Sequence, residues 1–121
     1  MPPRASAPKV LEPDPPATCR VYVIELDPAV LKDRRFRAEN PHYARGKLCL
    51  YVGSTALTPE ERFANHRRGH KGNRYAGEFG VRLRPDFYRH YPPMSRLEAE
   101  LTEREVALEL RAEGFAVWFN V

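Results

Sequence analysis

The sequence predicts an α+β domain, a small central β-sheet of about three strands flanked by helices. Three observations predict it. Short runs rich in β-branched and aromatic residues, CRVYVIEL (19–26), LCLYVGS (48–54) and FAVWFN (115–120), have the length and composition of buried strands. Two Ser/Thr-x-x-Glu boxes, Thr58 with Glu61 and Ser95 with Glu98, mark helix starts. Glycines at 69 and 114 mark where those helices should stop.

The elements follow in order. The first eighteen residues hold six of the twelve prolines and read as a disordered or extended tail, 1–18, ahead of one domain, 19–121. Strand CRVYVIEL opens that domain. The connection 27–47 is long and basic, with six Lys or Arg and two prolines, and turns the first two strands into an elaborated hairpin. After LCLYVGS, Thr58 is the N-cap and Pro59 the first helical residue of a helix running to about Arg68. NRYAGEFG forms a second, short helix ending at Gly80, and VRLRPDFYRHY is ambiguous between an extended segment and a short strand, broken by Pro85. A long helix runs from Ser95 to Gly114, and FAVWFN closes the chain as a strand.

A formal net charge of +4 and a pI near 9.3 favour a polyanionic partner without specifying one. Between Arg62 and Arg89 there are eight Lys or Arg against two acids, whereas Ser95–Glu113 carries six Glu against three Arg. No apolar run reaches membrane-spanning length, and no secretory apolar segment precedes Cys19. Cys19 and Cys49 are therefore expected to be reduced thiols of a cytoplasmic protein. A zinc site from them with His66 and His70 lacks the usual Cys-x-x-Cys spacing.

Four polar features stand out. Tyr22 lies inside the first strand, and Tyr51 lies two residues before Gly53 in the second. Arg62 and His66 are four apart on one helix and share a face. Glu105 borders an apolar stripe of Leu97, Leu101 and Leu108, where a carboxylate requires a cation or a donor. Each alone has an ordinary structural explanation.

Taken in order, they resemble the GIY-YIG nuclease family. Residues 20–22, RVY, stand where the first half of the name motif belongs, and YVGST is similar to the second half. ERFANH, EREVALEL and the terminal asparagine complete the pattern, so the resemblance spans about 19–120. It implies a metal-dependent endonuclease that hydrolyses DNA phosphodiesters by a one-metal, tyrosine-assisted water attack. By the same resemblance Glu105 would hold Mg2+ or Mn2+, and Arg62 the phosphate. Tyr22 would activate water beside Tyr51, His66 would assist proton transfer, and Asn120 would orient the site.

Arg34, Arg35, Arg67, Arg68, Lys71 and Arg74, with Arg37 and Arg45 in the connection, are candidates for contacts to the DNA backbone. Without an attached reading domain such contacts carry little sequence preference. The sequence departs from the pattern at Arg20, where the family has glycine, and in the length of 27–47. A non-catalytic nucleic-acid-binding module on the same fold stays open as an alternative. So does a protein-interaction domain using the proline tail and the acidic helix.

Overall fold

The computed structural model describes residues 15–69 and 72–120. Most of the predicted tail, residues 1–14, lies outside the described residues, as do His70, Lys71 and Val121. The first two apolar runs form strands β1 (Arg20–Leu26) and β2 (Cys49–Thr55). They pair antiparallel in one register that sets Tyr22 against Gly53 and Ile24 against Tyr51.

The long connection between them is folded. It holds a 3-10 turn at Pro28–Lys32 and helix α1 (Arg34–Ala38), capped by Asp33, whose carboxylate accepts the Phe36 N–H. Helix α2 (Pro59–Arg67) starts at the Thr58–Glu61 capping box, and Gly69 follows it at φ 73°. Helix α3 (Arg74–Phe79) is capped by Asn73. The long helix α4 (Arg96–Ala112) opens on the Ser95–Glu98 box, and β4 (Ala116–Phe119) follows Gly114.

The sheet has four strands rather than three, in the order β3-β1-β2-β4. The additional strand, β3 (Gly80–Leu83), settles the ambiguous segment before Pro85 as a short strand, and a 3-10 turn at Pro85–Phe87 follows it. It pairs antiparallel with β1, while β2 and β4 are parallel, so their C-terminal ends lie side by side.

Side chains alternate across the sheet. Tyr22, Ile24, Tyr51 and Trp118 share one face by the pairing register. The shorter helices cover it through Phe36, Tyr75 and His66, whose rings lie against Trp118, Tyr22 and Tyr51. The opposite face, with Val23, Leu50, Val52 and Val117, packs against α4.

The inner face of α4 is Ala99, Glu103, Val106, Ala107 and Leu110. This corrects the expected stripe: Leu97, Leu101 and Leu108 are 66%, 56% and 43% exposed. Two of the buried positions are the small residues Ala99 and Ala107, and the three leucines lie on the outer side.

Asn40 ties the connection to the sheet. Its amide donates to the carbonyls of Phe36 (2.8 Å) and Val117 (3.1 Å), and its carbonyl accepts the Val117 N–H at 2.7 Å. Asn40→Ala removes all three bonds at a buried position and should cost about 2–3 kcal/mol in urea unfolding. A loss below 0.5 kcal/mol, by the same order-of-magnitude scale, would mean these bonds exchange freely with water.

Cys19 and Cys49 are free and buried, and burial pushes the Cys49 thiol up to about 11. Among the described residues no helix is long and apolar enough to cross a membrane.

Candidate active site

A cavity of about 400 Å³ opens where β2 and β4 end together. Its floor is Tyr22, Tyr51 and Ser54, α2 contributes Arg62, α4 contributes Arg96, Glu100, Glu103 and Arg104, and Phe119 and Asn120 close it. Both tyrosines reach it because Gly53 lies between them. A Cβ built on Gly53 would stand 2.6 Å from the Tyr22 hydroxyl and 2.9 Å from the Tyr51 ring. That spacing explains the Tyr-Val-Gly order: the strand positions both rings on one side, and the residue opposite Tyr22 must have no side chain. Gly53→Ala should destabilise the fold by about 1–3 kcal/mol and displace both hydroxyls. An unchanged urea midpoint would show that the rings yield without cost.

The polar groups form one oriented network. Asn73 Oδ1 accepts the Tyr75 and Ala76 N–H groups, so its amide nitrogen is the atom that donates to Asn120 Oδ1, at 3.2 Å. The Asn120 amide then donates to the Tyr51 hydroxyl at 2.8 Å. Tyr51 and Arg62 both donate toward the Tyr22 oxygen. The proton of Tyr22 is left for His66 Nε2, 2.9 Å away.

His66 is fully buried, and burial together with the nearby Arg62 charge lowers its pKa to about 4. It is a neutral imidazole, which with Nε2 accepting carries its proton on Nδ1. Nδ1 has no partner among the described residues and faces Gly72, where a Cβ would come within 2.3 Å of it.

Burial raises the Tyr22 phenol to about 12 against the pull of Arg62, and raises Tyr51 further. Both tyrosines are neutral near pH 7, and Tyr22 needs an acceptor, which is His66.

The carboxylate at the site is Glu103 rather than Glu105. Glu103 is 6% exposed, accepts the Ser54 hydroxyl at 2.8 Å and the Asn120 backbone N–H, and is raised by burial to about 7. Glu105 is exposed and does not line the cavity. Two helix positions correspond to a rotation of about 200°, enough to move a side chain from the sheet to solvent. The spacing Ala99, Glu103, Val106, Leu110, at steps of four and three, is the signal in the sequence that marks Glu103 as inward.

Of the expected backbone-binding residues, none lines this cavity. Arg35 lies over the Trp118 ring, Arg67 over Phe63, Arg68 bonds Asn65, and Arg74 pairs with Asp33 and Glu78. Arg34 is exposed on α1, and Lys71 is outside the described residues. The cations that do line it beside Arg62 are Arg96 and Arg104, which sequence reasoning passed over.

Among the described residues no group of three or more His, Cys, Asp or Glu is arranged to hold a metal ion. A single buried carboxylate still suits Mg2+, which keeps most of its waters and takes one or two carboxylates. Zinc, which wants four protein ligands in a closed structural site, does not fit Cys19, Cys49 and His66 as they stand here. No protein-family model, curated protein or solved structure matches the chain.

Proposed function

We propose that the cavity hydrolyses phosphodiester bonds in DNA, as an endonuclease of the GIY-YIG type. The observation that carries this reading is the convergence of Tyr22, Tyr51, Arg62 and a buried carboxylate, Glu103, with Asn120, around one opening. Glu103 takes the role that the sequence resemblance gave to Glu105.

Each group has a task that its geometry suits. Arg62 offers a planar fork to non-bridging phosphate oxygens and the charge that builds on them. Once Arg62 turns from the Tyr22 oxygen to the phosphate, Tyr22 accepts a proton from the attacking water while passing its own to His66 Nε2, so no free phenolate is needed. The hydroxide forms its bond to phosphorus as the bond to the departing sugar oxygen breaks, and that oxygen takes a proton from solvent water to leave as a hydroxyl. Tyr51 and Asn120 hold the Tyr22 oxygen in place. Glu103 and Ser54 would hold Mg2+ or Mn2+, which when bound supplies Lewis-acid stabilisation of the phosphate. Glu103 must be ionised to do so, so activity should rise with pH through about 7.

The test uses supercoiled DNA with Mg2+, comparing wild type, Arg62→Ala and Glu105→Ala. Wild type should nick, Arg62→Ala should nick roughly 100- to 1000-fold more slowly, and Glu105→Ala should match wild type. A wild-type protein inert on duplex, branched and single-stranded DNA with either metal overturns the catalytic reading. In that event metal-independent, salt-sensitive DNA binding would support the second reading, a binding module, to which the high Tyr22 pKa is suited.

A further inference from the structure

Arg96, Glu100 and Arg104 stand four residues apart on α4 and all line the cavity. Four-residue spacing is the one at which Glu and Arg pair along a helix. Neither pair forms: among the described residues Arg96 and Arg104 make no ion pair, whereas Arg74, Arg82, Arg84 and Arg111 all do. Two guanidiniums therefore line the opening, Arg96 seven residues before Glu103 on the helix and Arg104 one residue after it. Eight residues of helix separate them by about 12 Å, and Glu103 lies within that span. Two successive internucleotide links of an extended strand cover the same distance.

We infer that Arg96 and Arg104 hold the two phosphates that flank the scissile one, so that the strand being cut lies along α4. The inference rests on the reading of the cavity as a phosphodiester site and adds its substrate class: a polynucleotide strand with a phosphate on both sides of the cut. A chain end lacks one of those phosphates and is a poor substrate.

Two measurements test this. The first is binding of a single-stranded oligonucleotide in chelator, followed against salt. Arg96→Ala and Arg104→Ala should each lower the log–log salt slope by about one and weaken binding about tenfold at low salt, with Arg96→Lys restoring the slope. The second maps cuts in an oligonucleotide carrying one uncharged methylphosphonate link. Wild type should avoid cutting at the links on either side of it. Arg96→Ala should become indifferent to the neutral link on one side, and Arg104→Ala on the other, the non-additivity expected of contacting groups.

If wild type cuts DNA but the slopes and the cutting pattern are unchanged in both variants, this inference falls and the nuclease reading stands. If nothing is cut, the nuclease reading falls and this inference falls with it, and a drop in slope then reports phosphate binding alone.

Discussion

Replacing Glu103 by glutamine is expected to abolish DNA cleavage while making the protein more stable. Loss of the one buried carboxylate in the cavity removes the anchor for a divalent cation, an effect of about three orders of magnitude in rate. The stability change has the opposite sign. Burial raises the Glu103 carboxyl from 4.5 to about 7, so the unfolded chain ionises there before the folded one does. Stability contributed by the protonated acid is complete below about pH 4.5 and is lost as pH rises through about 7.

Glutamine is uncharged and escapes this cost. At pH 8 Glu103→Gln should unfold at higher urea, by roughly 3 kcal/mol, and at pH 4.5 it should match wild type. His66 slopes the other way: its pKa is depressed from 6.5 to about 4, so stability is lost as pH falls through that range. The two slopes oppose each other in wild type, and the variant should expose the acid sensitivity of His66. Cleavage within tenfold of wild type would remove Glu103 from the site. Equal stability at pH 8 would show that burial does not hold this carboxyl neutral.

Tyr22→Phe is the second large effect. The phenol oxygen receives Arg62 and Tyr51, and its proton serves His66. Without it the attacking water has no relay to the imidazole, and the rate should fall by about 100- to 10,000-fold. Unlike Glu103→Gln, this change leaves His66 Nε2 buried without a partner and should cost about 1–3 kcal/mol. Metal-dependent protection of the folded state should survive in Tyr22→Phe and disappear in Glu103→Gln. A Tyr22→Phe protein that cuts within threefold of wild type would rule out the relay.

Much of this was legible in local chemistry. Both capping boxes, Pro59 at the helix start and the glycines at 69 and 114 act within a turn or two of sequence, so Thr58 and Ser95 could be read as caps and both are. Tyr22, Tyr51, Arg62 and Asn120 also come together as their order suggests. What escaped depends on distant partners. Strand β3 is held by β1, with Arg82 and Arg84 meeting Glu25 across the sheet, and alternating arginines alone leave its sequence ambiguous between a strand and irregular chain. Glu103 was hidden because exposed leucines imitate a core stripe, whereas the true inner face beside it is two alanines, a valine and a single leucine, Leu110. The tyrosine pKa values follow from burial, which no short motif reports.

The tie made by Asn40 has a consequence for assembly. Strand β4, AVWF, is an apolar, aromatic segment at the border of the sheet, the kind of edge that recruits a strand from another copy. At Val117 its outward backbone is already taken: Asn40 occupies both the N–H and the carbonyl, and Arg111 donates twice more to that carbonyl. Side chains thus stand where a neighbour's backbone would have to enter. Removing them would leave a sticky border, and the first symptom of an Asn40 variant should be self-association through β4 rather than a defect at the cavity.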